Sequence, residues 1–402
     1  MTSNQMEEKY YLDDAYTTAF RAKVLSCEKL LNGHFAVLLD KTYFFPESGG
    51  QLSDKGKILN VDVVNVREDD AGRVVHEVTA QVDGEVSCDV DWEARFDHMQ
   101  QHTGQHVLTR AFIEIAGMPT VSFHMGDETC TIDLEGKGLG DQTINAAEDL
   151  ANAIIWGNRE VSARTVPLSR LKEDALRRSL PEGVTDARVV EIENFDAVAC
   201  CGTHVKRTGE LGIIKVLKHE KVKGSVRVHF VAGRRALLDY RDKHGVVKSL
   251  ANRFTTSVDG ILDKTEKLSK DAQLLRKELQ KSIKRLAAFD KQRLLAEAST
   301  HKGRRFIVHL CEAGDESYLN LLASACKNEA GTIVFLGSKD GHVVCAASPE
   351  VSIDLATHVV GAAKEAGGGG GGKGDFARVT LPDSVDVREF LEKVSSYVKN
   401  AV

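Results

Sequence analysis

His102 and His106 lie four residues apart within His98-Met99-Gln100-Gln101-His102-Thr103-Gly104-Gln105-His106. On a helix, side chains at this spacing share a face, so both imidazoles can point at one metal ion. His98, one turn earlier on the same stripe, creates a second possible pair with His102. A His pair alone also fits an ordinary polar helix face. About a hundred residues on stands Cys200-Cys201-Gly202-Thr203-His204. Thiolate and neutral imidazole are preferred zinc ligands, at about 2.3 and 2.0–2.1 Å. His-x-x-x-His with Cys-x-x-x-His supplies four N and S donors from two segments, a far more specific signal than either half. The metalloprotease helix needs Glu directly after its first His. Thr103, or Met99 if His98 is counted, stands there instead, so that chemistry is excluded. Cys201 leaves a second thiol beside the presumptive ligand.

These residues must be held by a fold, and the sequence indicates its layout. At 402 residues, with 42% apolar and 28% charged residues, the chain has material for two or three domains. The net charge of −6 gives no global attraction to nucleic acid, so any such binding must be local. The eight cysteines are scattered apart from the 200–201 pair, which fits free or metal-binding thiols in a reducing compartment. No apolar run reaches the roughly 18–20 residues of a membrane span, and the first residues lack a leader's apolar core. A cytoplasmic protein without a membrane partner is expected.

Residues 1–92 read as short strands, at 35–39, 58–66, 73–78 and 85–90, and predict a β-barrel. The loop 45–51, Phe-Pro-Glu-Ser-Gly-Gly-Gln, interrupts it and can bring backbone close to a ligand. From 93 to 245, helices at 95–117 and 144–156 alternate with strands at 120–124, 129–134, 160–166 and 187–192, an α+β pattern. A seven-residue apolar repeat over 258–296 predicts one long helix, an arm spanning 246–300 that either pairs two copies as a homodimer or folds back on the body. Residues 301–402 read as an α/β domain. They contain six consecutive glycines, 367–372, followed by Lys373. That run is either a flexible linker or a backbone-rich cradle for phosphate. Basic residues gather at 215–243, including Arg234 and Arg235, and along 264–305; such stripes can track phosphates or simply be solvated.

In these motifs the chain resembles the alanyl-tRNA editing family, the editing region of alanyl-tRNA synthetase and its freestanding relatives. Loop 45–51, residues 101–106, 120–124, 200–205 and 208–212, and the glycine run with Asp375 and Phe376 occur in that family's order, over nearly the whole chain. The family usually has glycine where Cys201 stands. The resemblance implies an α+β multidomain protein: an N-terminal β-barrel, a central zinc-binding editing domain, a helical arm and a C-terminal domain that touches tRNA. It also implies hydrolysis of serine or glycine wrongly esterified to alanine tRNA. His102, His106, Cys200 and His204 would hold Zn2+, with Thr103 and Gln105 at the reacting centre. Glu47, Gly49, Gly50, Thr120 and Ser122 would line the amino-acid pocket, and Arg234, Arg235 and Lys373 would meet the tRNA. The barrel starts almost at Met1, so neither aminoacylation nor ATP use is expected. Rival readings are a non-catalytic zinc-containing tRNA-binding module and editing of threonine tRNA.

Overall fold

In the computed structural model, residues 8–136, 138–167, 186–312 and 315–402 are described. They divide into two compact units, Met1–Ser249 and Leu250–Val402.

In the first unit, strands Ala19–Lys29, Phe35–Leu39, Val74–Val78, Val61–Glu68, Gly56–Ile58 and Glu85–Val90 close into a barrel in that order. Alternation places Val37, Leu39, Val63, Val66, Val86 and Cys88 inside. The long opening strand Ala19–Lys29 has no counterpart in the sequence reading. Its pattern mixes Arg, Lys, Ser and Glu with apolar residues, and the pairing with Phe35–Leu39 and Glu85–Val90 is what holds it extended.

Helix α1, Trp92–Ala116, leaves the barrel directly. Asp91 caps it by accepting from Ala94 N (3.2 Å), and Gly117 ends it in the left-handed region at φ +64. Arg95, wholly buried, ties its first turn to the barrel. The guanidinium pairs with the buried Asp54 carboxylate and donates to Ala15 O at 2.6 Å.

Beyond α1 an antiparallel sheet runs in the order Ile214–Val222, Ser225–Ala232, Cys130–Glu135, Thr120–Met125. Helix α2, Asp141–Trp156, adds Ala147, Ala151, Ile154 and Ile155 to the same core. A smaller sheet joins Val161–Pro167, Asp186–Ile192 and Asp196–Ala199. Helix α3, Gly233–Phe254, follows.

The second unit holds helix α4, Ile261–Ala296, the long helix the seven-residue repeat predicted. Its end packs into the domain through Ala287 and Leu294, while Leu268, Leu275, Leu279 and Leu286 stay exposed. A six-stranded sheet follows, in the order Ser299–His301, Arg304–Cys311, Thr332–Ser338, His342–Ala347, Phe376–Thr380, Gly369–Lys373. Helices α5 (Glu316–Lys327), α6 (Leu355–Glu365) and α7 (Val387–Ala401) complete the unit.

The glycine run enters the sheet and is not a linker. Gly369–Lys373 is an edge strand, in register with Phe376–Thr380 and joined to it by a turn through Gly374 at φ +57. Its backbone lies so close to its neighbour that a Cβ on Gly370 would sit 2.2 Å from Arg378 O.

Candidate metal centre

Most of α1 is buried on every side, although its middle reads Gln-Gln-His-Thr-Gly-Gln-His. Buried polar groups need partners, and the sheet supplies them. Gln101 Nε2 donates to Ala232 O (2.9 Å) and its Oε1 accepts from Ala232 N (2.9 Å). Gln100 Nε2 donates to Glu210 O (2.7 Å). Gly104 lets the sheet close in, since a Cβ there would meet Ala232 Cβ at 3.0 Å. Core packing and hydrogen bonding together fix the rotation of α1, and so the direction of its two histidines.

His102 and His106 on α1 meet Cys200 and His204, which follow the strand Asp196–Ala199. One donor atom from each lies within 4.8 Å of all the others. Cys200 Sγ is 3.4 Å from both His102 Nε2 and His204 Nε2. Cys200, not Cys201, therefore faces the imidazoles; Cys201 is exposed and lines the adjoining cavity. His98, the alternative partner, is buried away from this group, with Asp54, Asp97, Arg95 and Arg235 as its charged neighbours; burial lowers its pKa.

The ligand atoms are oriented from behind. Thr203 N donates to Gln51 Oε1 (3.1 Å) and Gln51 Nε2 donates to Thr203 Oγ1 (2.7 Å), which fixes the amide's direction. Oε1 then accepts from His102 Nδ1 (2.6 Å), leaving the Nε2 lone pair for the cluster. His204 has its Nδ1 3.0 Å from Thr103 Oγ1, and that hydroxyl also accepts from Val205 N (3.2 Å). Burial, helped by His102 and Arg188, drives the His204 pKa well below its ordinary value. The ring is neutral, the form that binds a metal. Gly202 is required: a Cβ would lie 2.1 Å from His102 Cε1. Three imidazoles, one thiol and prearranged outer partners fit a zinc-type ion by donor chemistry.

A cavity of about 640 Å³ opens beside the cluster. His102, His106, Cys200 and Cys201 form one part of its wall, and Thr109, Thr120 and Ser122 another. Gln105 Nε2 donates to Thr109 Oγ1 (2.8 Å), which bonds to Thr120 Oγ1 (2.8 Å), so a polar string runs from α1 to the sheet. Ser122 Oγ donates to Asp133 (2.8 Å).

Gly49 lines the cavity, and Gly50 packs so tightly on the strand that a Cβ would be 2.7 Å from Phe123 O. Glu47 is exposed, and the loop's contribution to the wall is Ser48 and Gly49. Thr103 is wholly buried behind His204, bonded to its ring, and is not part of the cavity wall. Arg235 is bidentate on Asp97 (2.7 and 3.0 Å) and donates to Gly126 O (2.6 Å), contacts that engage its guanidinium within the fold. Arg234 pairs with Glu93 at the surface (2.6 Å), and Lys373 is exposed at the end of the glycine strand. Gln51 and Thr109 escaped the sequence reading. Gln51 closes the quoted loop motif, but its role needs Thr203, 152 residues away. Thr109 sits seven residues after His102, on the same helix stripe, a signal that was available.

Residues 187–228, which carry Cys200 and His204, match the family model described as the threonyl and alanyl tRNA synthetase second additional domain. Residues 304–400 match the DHHA1 domain. Two of the four donors, Cys200 and His204, thus lie in a domain shared with threonyl and alanyl tRNA synthetases, which defines the class of protein. Along the whole chain the similarity is more specific. The chain is 30% identical to alanyl-tRNA editing protein Aarsd1-A of Xenopus laevis, covering 96% of this chain and 97% of that one. It is 32% identical to Aarsd1 of Rattus norvegicus over 80% of this chain and 81% of the relative. Alanine–tRNA ligase of Pyrococcus furiosus is 30% identical over 96% of this chain, which spans 43% of the ligase. The chain belongs to the alanyl-tRNA editing proteins.

Proposed function

We propose that this protein is a zinc-dependent deacylase, removing serine or glycine wrongly esterified to alanine tRNA. The observation that carries the reading is the convergence of His102, His106, Cys200 and His204 on one point beside a hydroxyl-lined cavity. A zinc ion held there supplies Lewis acidity to the reacting ester. The protein's own groups do the rest. Gln51 and Thr103 hold the His102 and His204 rings, so the four donors need little rearrangement. The Gln105–Thr109–Thr120 string presents hydroxyls to the bound amino acid's side chain. For the serine ester, a site that bonds the hydroxyl disfavours alanine, which would leave buried polar groups unpaired; glycine, which has no hydroxyl, is not distinguished in this way.

Lys373 on the glycine edge strand and exposed Arg234 are proposed to meet the tRNA. Pairing of two copies through residues 258–296, a cytoplasmic setting and the four-part division at 92, 245 and 300 belong to the same proposal. The leucine stripe on α4 supports the pairing.

The test is ester loss from serine-, glycine- and alanine-loaded alanine tRNA. The double variant His102→Ala with His106→Ala is expected to drop to the uncatalysed rate with the serine ester. Turnover equal to the unaltered protein refutes the site, and turnover that survives complete zinc removal refutes the metal's part.

A further inference from the structure

Arg188 stands in the middle of the apolar strand Asp186–Ile192, pointing out of the role its neighbours Val189 and Val190 play in the core. Nη1 donates to both Cys200 O (2.7 Å) and Gly202 O (3.0 Å). Nε and Nη2 donate to Leu12 O at 3.1 and 2.9 Å. The backbone of the same residue holds the same place, since Arg188 O accepts from Cys200 N at 3.0 Å. All the side chain's acceptors among the described residues are neutral carbonyls. Its one effect described above is through charge, which helps to lower the His204 pKa.

We propose that Arg188 is the positioning residue of the thiolate ligand, a clamp that curls residues 200–202 so that Cys200 Sγ faces His102 and His204. The proposal rests on the reading that these residues hold a metal. One nitrogen bridging two carbonyls two residues apart bends the segment between them. That bend brings Gly202 N within 3.3 Å of Cys200 Sγ, where it donates to sulfur, and sets Gly202 close against the His102 ring. The rest of the fork anchors the curl to Leu12. Only a planar, multi-donor group reaches three carbonyls in two directions; lysine offers a point charge on a flexible stem.

Co2+ added to metal-free protein is the probe. The sulfur-to-cobalt absorption band reports thiolate ligation, and competition with a chelator reports affinity. Arg188→Gln is expected to bind Co2+ roughly 10- to 100-fold more weakly, as for other outer partners of metal ligands, with a weakened band and an unchanged far-UV spectrum. Arg188→Lys keeps the charge but not the fork, and is expected to stay at least about tenfold weaker than the unaltered protein. Unaltered affinity and band in Arg188→Gln overturn the proposal. Should that variant not fold, the same result in Arg188→Lys overturns it. Unaltered protein that takes up no Co2+ sinks the metal reading itself, and the role of Arg188 with it.

Discussion

In Met1–Ser249 the enclosed positions include Asp54, His76, Arg95, His102, His106 and His204, whereas in Leu250–Val402 the buried polar residues among those described are Thr332, Ser338, Ser348 and Ser395. The first unit encloses ionisable groups and must satisfy each of them; the second has an apolar core and carries its charges outside, notably along α4. Removing one member of a buried ionic pair is far costlier than trimming a surface charge. The contrast teaches where specificity resides. The first unit is geometrically over-determined around its chemistry, while the second is a conventional hydrophobic body whose distinguishing features are an exposed leucine stripe and a glycine edge.

That contrast can be broken by perturbing the first unit alone. The largest expected effect comes from Asp54→Asn, which leaves the Arg95 guanidinium buried without its carboxylate. A loss of about 3–5 kcal/mol is expected, seen as a low-temperature unfolding step for the first unit with the step of residues 250–402 unmoved. One cooperative melt shifted as a whole would show that the two units do not unfold separately.

Acid should expose the same asymmetry. His76 is fully buried, its Nε2 bonded to Thr42 Oγ1 (2.8 Å), and burial lowers its pKa to about 4. Below pH 6.5 the unfolded chain therefore binds a proton that the folded one refuses. Stability is complete above that pH and falls as pH drops toward 4, by up to about 3 kcal/mol. Urea midpoints measured at pH 7 and pH 4.5 should diverge less in His76→Gln; an equal divergence would remove His76 as the cause.

The smallest of the three effects sharpens the comparison at the site. Gly202→Ala places a methyl where the His102 ring lies. Metal affinity is expected to fall roughly 10- to 100-fold, about 1.4–2.7 kcal/mol, with the unfolding of residues 250–402 unchanged. Equilibrium dialysis with zinc checks it, and wild-type affinity would show that the ring can move aside.

Some of this architecture was legible in the residues. The four donors announced themselves because helical spacing and the Cys-x-x-x-His turn are local signals. The long helix at 261–296 followed from its seven-residue repeat. Non-local pairing was not legible. Six glycines carry no side-chain pattern, and only Phe376–Thr380 makes Gly369–Lys373 a strand. Thr103 looked available because it lies between ligands, yet helical rotation turns it into the interior. Arg235 reads as basic surface until Asp97, 138 residues away, is brought to it.

The donors that join α1 to the 200–204 turn are separated by 98 residues of chain. Closing a loop of that length costs about 4 kcal/mol of chain entropy, so an ion shared across it would act as a cross-link. During synthesis, at roughly 5–20 residues per second, the two imidazoles of α1 emerge several seconds before their sulfur partner. The donor set is complete only once His204 has emerged, so an ion held there would be taken up after most of the first unit has been made.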